Sequence, residues 1–182
     1  NINVTLDIPE DRFAPSGRKV RLDGDCAFAD IMVEDGTTLD LNGQRMECSG
    51  EFTNSGTVDN TGDGVAYIYA EGFNLDGAWS NDTNLKLILQ PTGNVSVDLN
   101  DDNMASTVQR MINAGTHTVT QDANFNYNSG DFILASGIYD TNDKTDLKVE
   151  NLRIVTDTAL SGTSTPITVA GDFTIAGGLI GK

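Results

Sequence analysis

The chain reads as an all-β protein, a partial β-solenoid carrying one short helix, with a β-sandwich or jelly roll as the alternative fold. Three observations predict this. Apolar and polar residues alternate in short runs such as Val95, Val97 and Leu99, and a period of two gives a strand one apolar edge to bury. The runs are cut every few positions by Gly, Asn-Gly, Asp-Gly or Asn-Ser-Gly, turn chemistries that tolerate positive φ. A Gly-acid-Phe phrase also recurs, at Gly50-Glu51-Phe52, Gly130-Asp131-Phe132 and Gly171-Asp172-Phe173, with Gly72-Phe73 as a degenerate copy.

The spacing of that phrase sets a period. Phe52 and Phe132 lie 80 residues apart and Phe132 and Phe173 lie 41 apart, near multiples of a unit of about 20 residues, within the range of solenoid repeats. Each unit is then one coil whose short strands pair with the coils above and below while inward apolar residues stack into ladders. Phe52, Phe132 and Phe173 are expected as rungs of one interior column.

Taken in order, residues 1–18 are an N-terminal arm or lead-in strand. Val4, Leu6 and Ile8 alternate there before Pro9, Phe13, Pro15 and Gly17 interrupt, and proline does not sit inside a central strand. Residues 19–182 form the β-rich domain. Its strands are marked by Val20 with Leu22, Ile31 with Val33, Leu39 with Leu41, Val119 with Phe125 and Tyr127, Leu152 with Ile154, and Phe173 with Ile175. One stretch near 102–114 breaks the alternation. Met104, Val108, Met111 and Ile112 fall at i, i+4, i+7 and i+8, with Asp101 or Asp102 as N-cap and Gly115 past the end, so a short amphipathic helix is expected, lying over the β-core or binding a partner.

Composition narrows the role. A length of 182 residues suits one ordinary domain or two small ones. With 27 Asp plus Glu against 11 Lys plus Arg, the net charge of −16 repels duplex DNA and anionic membranes, so nucleic acid is not an expected partner. No apolar run approaches the roughly 18 residues of a spanning helix. Asn1-Ile2-Asn3-Val4-Thr5 has neither the basic start nor the apolar centre of a secretory signal, and a processed chain or a piece of a longer one is expected. The closing Ile175-Ala176-Gly177-Gly178-Leu179-Ile180-Gly181-Lys182 is apolar and Gly-punctuated, a place for more chain or a partner to follow.

Chemistry-bearing residues are few. Cys26 and Cys48 lie 22 residues apart, close to one coil, which allows one above the other as free thiols or as a disulfide; without a Cys-x-x-Cys spacing they point to neither zinc nor redox work. The single histidine, His117, sits in a run of alternating Thr, and one imidazole supports neither a hydrolase triad nor a multi-histidine metal site. No nucleophile elbow, phosphate loop or dinucleotide fingerprint occurs in a strand-to-helix context. Asp98, Asp101 and Asp102 are the nearest thing to a paired-acid site, and capping of the expected helix already explains them. Trp79, Tyr67 and Tyr69 are candidate carbohydrate contacts. Asp59, Asp63, Asp140 and Asp143 are candidate calcium ligands, in Asp59-Asn60-Thr61-Gly62-Asp63-Gly64 and Asp140-Thr141-Asn142-Asp143, although Asx turns use the same residues without metal. No cofactor is expected. Asn81-Asp82-Thr83 and Asn94-Val95-Ser96 fit the glycosylation triplet.

The stretch Asp35-Gly36-Thr37-Thr38-Leu39-Asp40-Leu41-Asn42-Gly43-Gln44, followed by Cys48-Ser49-Gly50-Glu51-Phe52-Thr53-Asn54-Ser55-Gly56, resembles the repeats of β-solenoid surface proteins, secreted adhesins and phage virion appendages. The closing Ile167-Thr168-Val169-Ala170-Gly171-Asp172-Phe173-Thr174-Ile175 is similar to phrases of phage tail-fibre and virion structural proteins. The resemblance implies a non-enzymatic structural role at a virion surface, as a capsid-decoration or fibre component, or else an extracellular adhesin or carbohydrate-binding module. The implied partners are copies of the chain itself and capsid or fibre proteins.

Overall fold

Alternation and turn residues combine into coils of three short strands. The computed structural model describes residues 18–97, 99, 108–122, 131–142, 148–155, 158–161, 168–176 and 179–180; the expected arm, apart from Arg18, lies outside them. The first coil is β1 (Lys19–Arg21), β2 (Cys26–Phe28) and β3 (Ile31–Val33), and the second is β4 (Thr38–Asp40), β5 (Arg45–Cys48) and β6 (Glu51–Asn54). The third is β7 (Thr57–Asp59), β8 (Ala66–Ala70) and β9 (Gly72–Leu75), and the fourth β10 (Ala78–Ser80), β11 (Leu85–Leu89) and β12 (Val95–Val97). Two long strands follow, β13 (Gln109–Gln121) and β14 (Asp131–Asp140), then β15 (Lys148–Val149), β16 (Asn151–Ile154), β17 (Thr158–Ser161), β18 (Thr168–Val169), β19 (Phe173–Ile175) and β20 (Leu179–Ile180).

Every pairing among the described strands is parallel, so they stack into three faces. Face A carries β1-β4-β7-β10, with the β15-β18 pair in the equivalent place of later coils. Face B is a stack of eight strands, β2-β5-β8-β11-β13-β14-β16-β19. Face C carries β3-β6-β9 and, in later coils, β12, the far halves of β13 and β14, β17 and β20. The two long strands serve two faces each by turning at Gly115 (φ 61°) and Gly137 (φ 88°). Only glycine suits the second corner, where an added Cβ would lie 2.7 Å from the Ala114 Cβ and 2.8 Å from the His117 carbonyl oxygen. Ser136 braces it, its Oγ accepting from Gly115 N at 2.8 Å and donating to Asn113 Oδ1 at 2.7 Å.

The core is the shared interior of the three faces. On face B one inward column runs Cys26, Met46, Ile68, Leu87, Arg110, Phe132, Leu152 and Phe173. From Cys26 to Phe173 seven steps cover 147 residues, 21 per coil. On face A, Val20, Leu39, Val58 and Trp79 form the column; on face C, Ile31, Phe52 and Phe73 do, with Val95, Val119, Tyr139 and Leu160 in later coils. Each fully buried Val, Leu, Ile, Phe or Met among them contributes about 1.5–3 kcal/mol.

Two expectations are corrected here. The three repeat phenylalanines do not share a column. Phe132 and Phe173 stand on face B with Leu152 between them, whereas Phe52 is on face C, directly beneath Phe73 at 6.2 Å between ring centres. Phe52 and Phe132 are fully buried, but Phe173 is 50% exposed, because it stands in the last described strand of its stack. The expected helix is not formed where the structure describes it. Residues 109–115 belong to β13, with Arg110, Ile112 and Ala114 turned inward; Met104, Asp101 and Asp102 lie outside the described residues. Pairing with β11 and β14 on both sides overrides the helical pattern: Val108 and Ile112, at i and i+4, share a face in strand and helix alike, whereas Met111 falls on the other face of the strand. The one helical piece among the described residues is the 3-10 turn Asp82–Asn84.

Corners are held by side chains that accept a backbone N–H from the next coil. Asp25 Oδ1 accepts from Arg45 N at 2.9 Å, Asp30 Oδ1 from Glu51 N at 2.8 Å, Asn94 Oδ1 from Thr118 N at 2.9 Å and Asn151 Oδ1 from Asp172 N at 2.8 Å. The Asn and Asp of the composition thus satisfy donors that the ladders leave over where the chain bends.

Candidate functional site

Three places gather chemistry-bearing or apolar groups: a polar corner beside face A, an outward tyrosine pair on face B, and the two ends of the stack.

At the polar corner, Asp40 and Asp59 are successive rungs of one column above Arg21. The Lys19 ammonium reaches past its own coil to both, 3.1 Å from Asp40 Oδ2 and 2.9 Å from Asp59 Oδ2, so a single cation ties three coils together. Burial pushes the Asp40 carboxyl up. The Thr61 hydroxyl at 2.6 Å, the Thr61 N–H, the Lys19 ammonium and the Asn42 N–H outweigh that and hold it at about 2. Asp59 is likewise held below the usual range, its burial outweighed by Asn81, Lys19 and Ser80. The same two carboxylates raise the Lys19 pKa. Asn42 and Asn81, each at φ 51°, make the adjoining turns.

This geometry places the candidate calcium ligands. Asp59 is engaged by Lys19 and Asn81, and Asp63 is exposed in the corner loop. Asp140 Oδ1 accepts from Asn142 N at 2.9 Å, with Asn142 at φ 54°, the same Asx turn that Asp40 and Asn42 make. Asp143 lies outside the described residues, as do Asp98, Asp101 and Asp102. Among the described residues no three acidic, histidine or cysteine side chains gather in a metal-holding group.

The candidate carbohydrate contacts are split. Tyr67 and Tyr69 point outward from β8, half-buried, with near-parallel rings 6.2 Å apart. Cations cover them, the Arg45 guanidinium 4.4 Å from the Tyr69 centroid and the Lys86 ammonium 5.7 Å from that of Tyr67. Arg45 also pairs with Glu47. Trp79 does not join them. It is inward on face A, 8% exposed, stacked on Val58 and 6.5 Å from Phe52. The spacing of Leu39, Val58 and Trp79 by about one coil is the sequence signal for that placement. Sequence reasoning missed the groove beside Tyr69, of about 480 Å³, that climbs the corner between faces B and C past Phe28, Cys48, Ser49, Glu71 and Gln90.

The cysteines are free. Cys26 aligns with Met46 and Cys48 with Phe28, so the two thiols sit diagonally rather than one above the other. Two residues along a strand and one strand across put their Cα atoms about 8 Å apart, beyond the roughly 7 Å that a disulfide spans. Burial pushes the Cys26 thiol up to about 11 and the Cys48 thiol up to about 12, with nearby negative groups adding to each.

The ends of the stack differ from its middle. Phe173 and Ile175 are 50% and 47% exposed, although Leu152 and Ile154 directly beneath them are buried. At the opposite end Val20 is 43% exposed over a buried Leu39. These are inward-column residues lacking a coil above them among the described residues, and with Met32, Val65 and Ile138 they are the large apolar side chains most open to solvent. No helix among the described residues is long and apolar enough to cross a membrane. No protein-family model, characterised protein or solved structure matches this chain.

Proposed function

We propose that the protein is a non-enzymatic structural subunit of a virion surface, a phage capsid-decoration or fibre component, acting outside the cell through association with copies of itself or with a shell. One observation carries the assembly part of this reading: the half-exposed Phe173 and Ile175, whose counterparts one coil below are buried. Apolar columns left half-exposed in their last described strand are stabilised by whatever continues them, further chain or a partner. The middle of the molecule is consistent with the same reading, because the carboxylates of Asp25, Asp30, Asp40 and Asp59 are engaged in corner and ladder hydrogen bonds. The virion setting rests on the resemblance of the closing phrase, Ile167 to Ile175, to virion structural proteins.

The test is electron microscopy of the native source with antibody labelling of this chain. Label on particles or fibres supports the reading; label on cell surfaces without particles favours the adhesin. A second reading, a carbohydrate-binding module, has one observation in its favour: the open groove beside Tyr69, with Ser49, Glu71 and Gln90 as polar partners. A glycan array with Tyr69→Ala as control decides it, and silence across sugars removes it.

A further inference from the structure

Resting on the assembly reading, we propose that the groove beside Tyr69 receives a basic segment of a partner protein, a lysine or arginine stem lying on its apolar floor and the cation meeting Glu71.

The groove is shaped for a short extended chain. Ala27, Glu47 and Tyr69 are successive rungs of one outward column of face B. The corner beside them is closed by backbone bonds from coil to coil, Ser49 N to Phe28 O at 3.0 Å, Glu71 N to Gly50 O at 2.9 Å and Gln90 N to Ala70 O at 2.7 Å. Phe28 belongs to the first coil and Gln90 follows β11 in the fourth, so the groove climbs three strand spacings, about 14 Å, the reach of roughly four extended residues. Its floor is the half-buried Phe28 with the small side chains of Ala29 and Ala70. Such a floor takes the methylene stem of a long basic side chain while the charged head stays at the rim. The exposed Ser49 and Gln90 stand where they can bond a peptide backbone.

Charge selects the ligand. The lining holds Glu47 and Glu71 and no basic residue, in a chain of net charge −16. The molecule itself displays what this surface takes, because Arg45 lays its guanidinium 4.4 Å from the Tyr69 centroid and pairs with Glu47. Glu71, two residues on from Tyr69, offers a second carboxylate, and among the described residues no cation pairs with it. A partner's lysine or arginine at Glu71 repeats the Arg45 arrangement on the groove side. A neutral sugar uses the ring but leaves the Glu71 charge uncompensated, and an anionic ligand is repelled.

The probe is fluorescein-labelled hexalysine at physiological salt, where charges farther off than about 8 Å are largely screened, with binding read by fluorescence anisotropy. Glu71→Gln is expected to weaken binding about fivefold. Ala29→Trp, which fills the groove without altering any charge, should weaken it further. Glu34→Gln removes an exposed carboxylate between faces C and A and should leave binding unchanged. Carbodiimide coupling followed by peptide mass mapping should place hexalysine on Glu71 or Glu47. Should Ala29→Trp lose its β-sheet circular dichroism, the coupling map of the unmodified protein decides. Binding that Glu71→Gln and Glu34→Gln reduce equally, with coupling scattered over other carboxylates, is diffuse attraction; it overturns this docking and leaves the assembly reading standing. Absence of hexalysine binding overturns it too, and cellohexaose bound instead and lost in Tyr69→Ala favours the carbohydrate module. A chain that binds hexalysine at Glu71 yet is absent from particles and fibres overturns the assembly reading and keeps the groove as a site for basic peptide.

Discussion

Tyr139 donates from its hydroxyl to Gln121 Oε1 at 2.9 Å in the buried interior, joining two successive coils where no water reaches. The Tyr139 ring stands edge-on to Phe132 at 5.2 Å. The bond therefore ties neighbouring strands of face C, while the ring packs that face against the face B column. Tyr139→Phe keeps the ring and leaves a buried amide oxygen without its donor. The expected cost is about 1–3 kcal/mol, read as a lower urea midpoint with an unchanged slope.

The repeat phenylalanines should separate by position. Phe52→Ala opens a cavity among Phe73, Trp79 and Ile31 and should cost about 3–5 kcal/mol. Phe173→Ala, at a half-exposed end, should cost less than about 1 kcal/mol in dilute protein. Chemical denaturation of both variants checks this, and equal losses would contradict the placement of the two rings.

Acid should loosen the first three coils. The Asp40 carboxyl is lowered from 3.8 to about 2 in the folded chain, so its contribution is present above pH 4 and lost as pH falls from there through about 2. Lys19 has its pKa raised, so its contribution is present at neutral pH and lost as pH rises past 10.5. Lys19→Met removes one of the partners that hold Asp40 down, and acid unfolding should then begin at higher pH than in the parent. Asp40→Asn should lower stability at pH 7 and flatten the acid limb, as followed by circular dichroism across pH 1.5–7.

Gly137→Ala tests the corner that lets β14 serve two faces. At φ 88° with an Ala114 methyl 2.7 Å from the new Cβ, the substitution should cost about 1–3 kcal/mol, seen as a lowered Tm.

The thiols should stay apart. Oxidation of the monomeric native protein should give no loss of two mass units, and a thiol reagent should modify Cys26 before Cys48, since Cys26 is the more exposed of two thiols that burial keeps protonated. Denaturant should release both at once.

The coil was legible because a 21-residue turn leaves its mark in turn chemistry and in the 41-residue step from Phe132 to Phe173, two coils on one face. The 80-residue step from Phe52 misled. Four coils along face C the chain comes near Tyr139, not Phe132, and the two phrases share a strand start on different faces. The strand at 109–115 is hidden in the sequence because Arg110 occupies an inward position of β13 and breaks the apolar alternation, leaving Val108 and Ile112 at a spacing common to both periods. Trp79 reads in sequence as a candidate sugar contact although it is inward, because an aromatic side chain in sequence carries no sign of which face it joins. Only its spacing from Leu39 and Val58 tells. The groove at Tyr69 and the exposed end were not legible at all, since both arise from residues of different coils brought level by stacking.

Uniform parallel pairing fixes how this molecule tolerates changes of length. Each coil adds about 4.8 Å along the axis, so the rise from β2 to β19 is about 34 Å. Inserting or deleting a whole coil preserves the facing of every side chain, while a slip of a single residue within a strand turns its interior outward. Height in such a rod is therefore graduated, and natural variants should differ from it in whole increments.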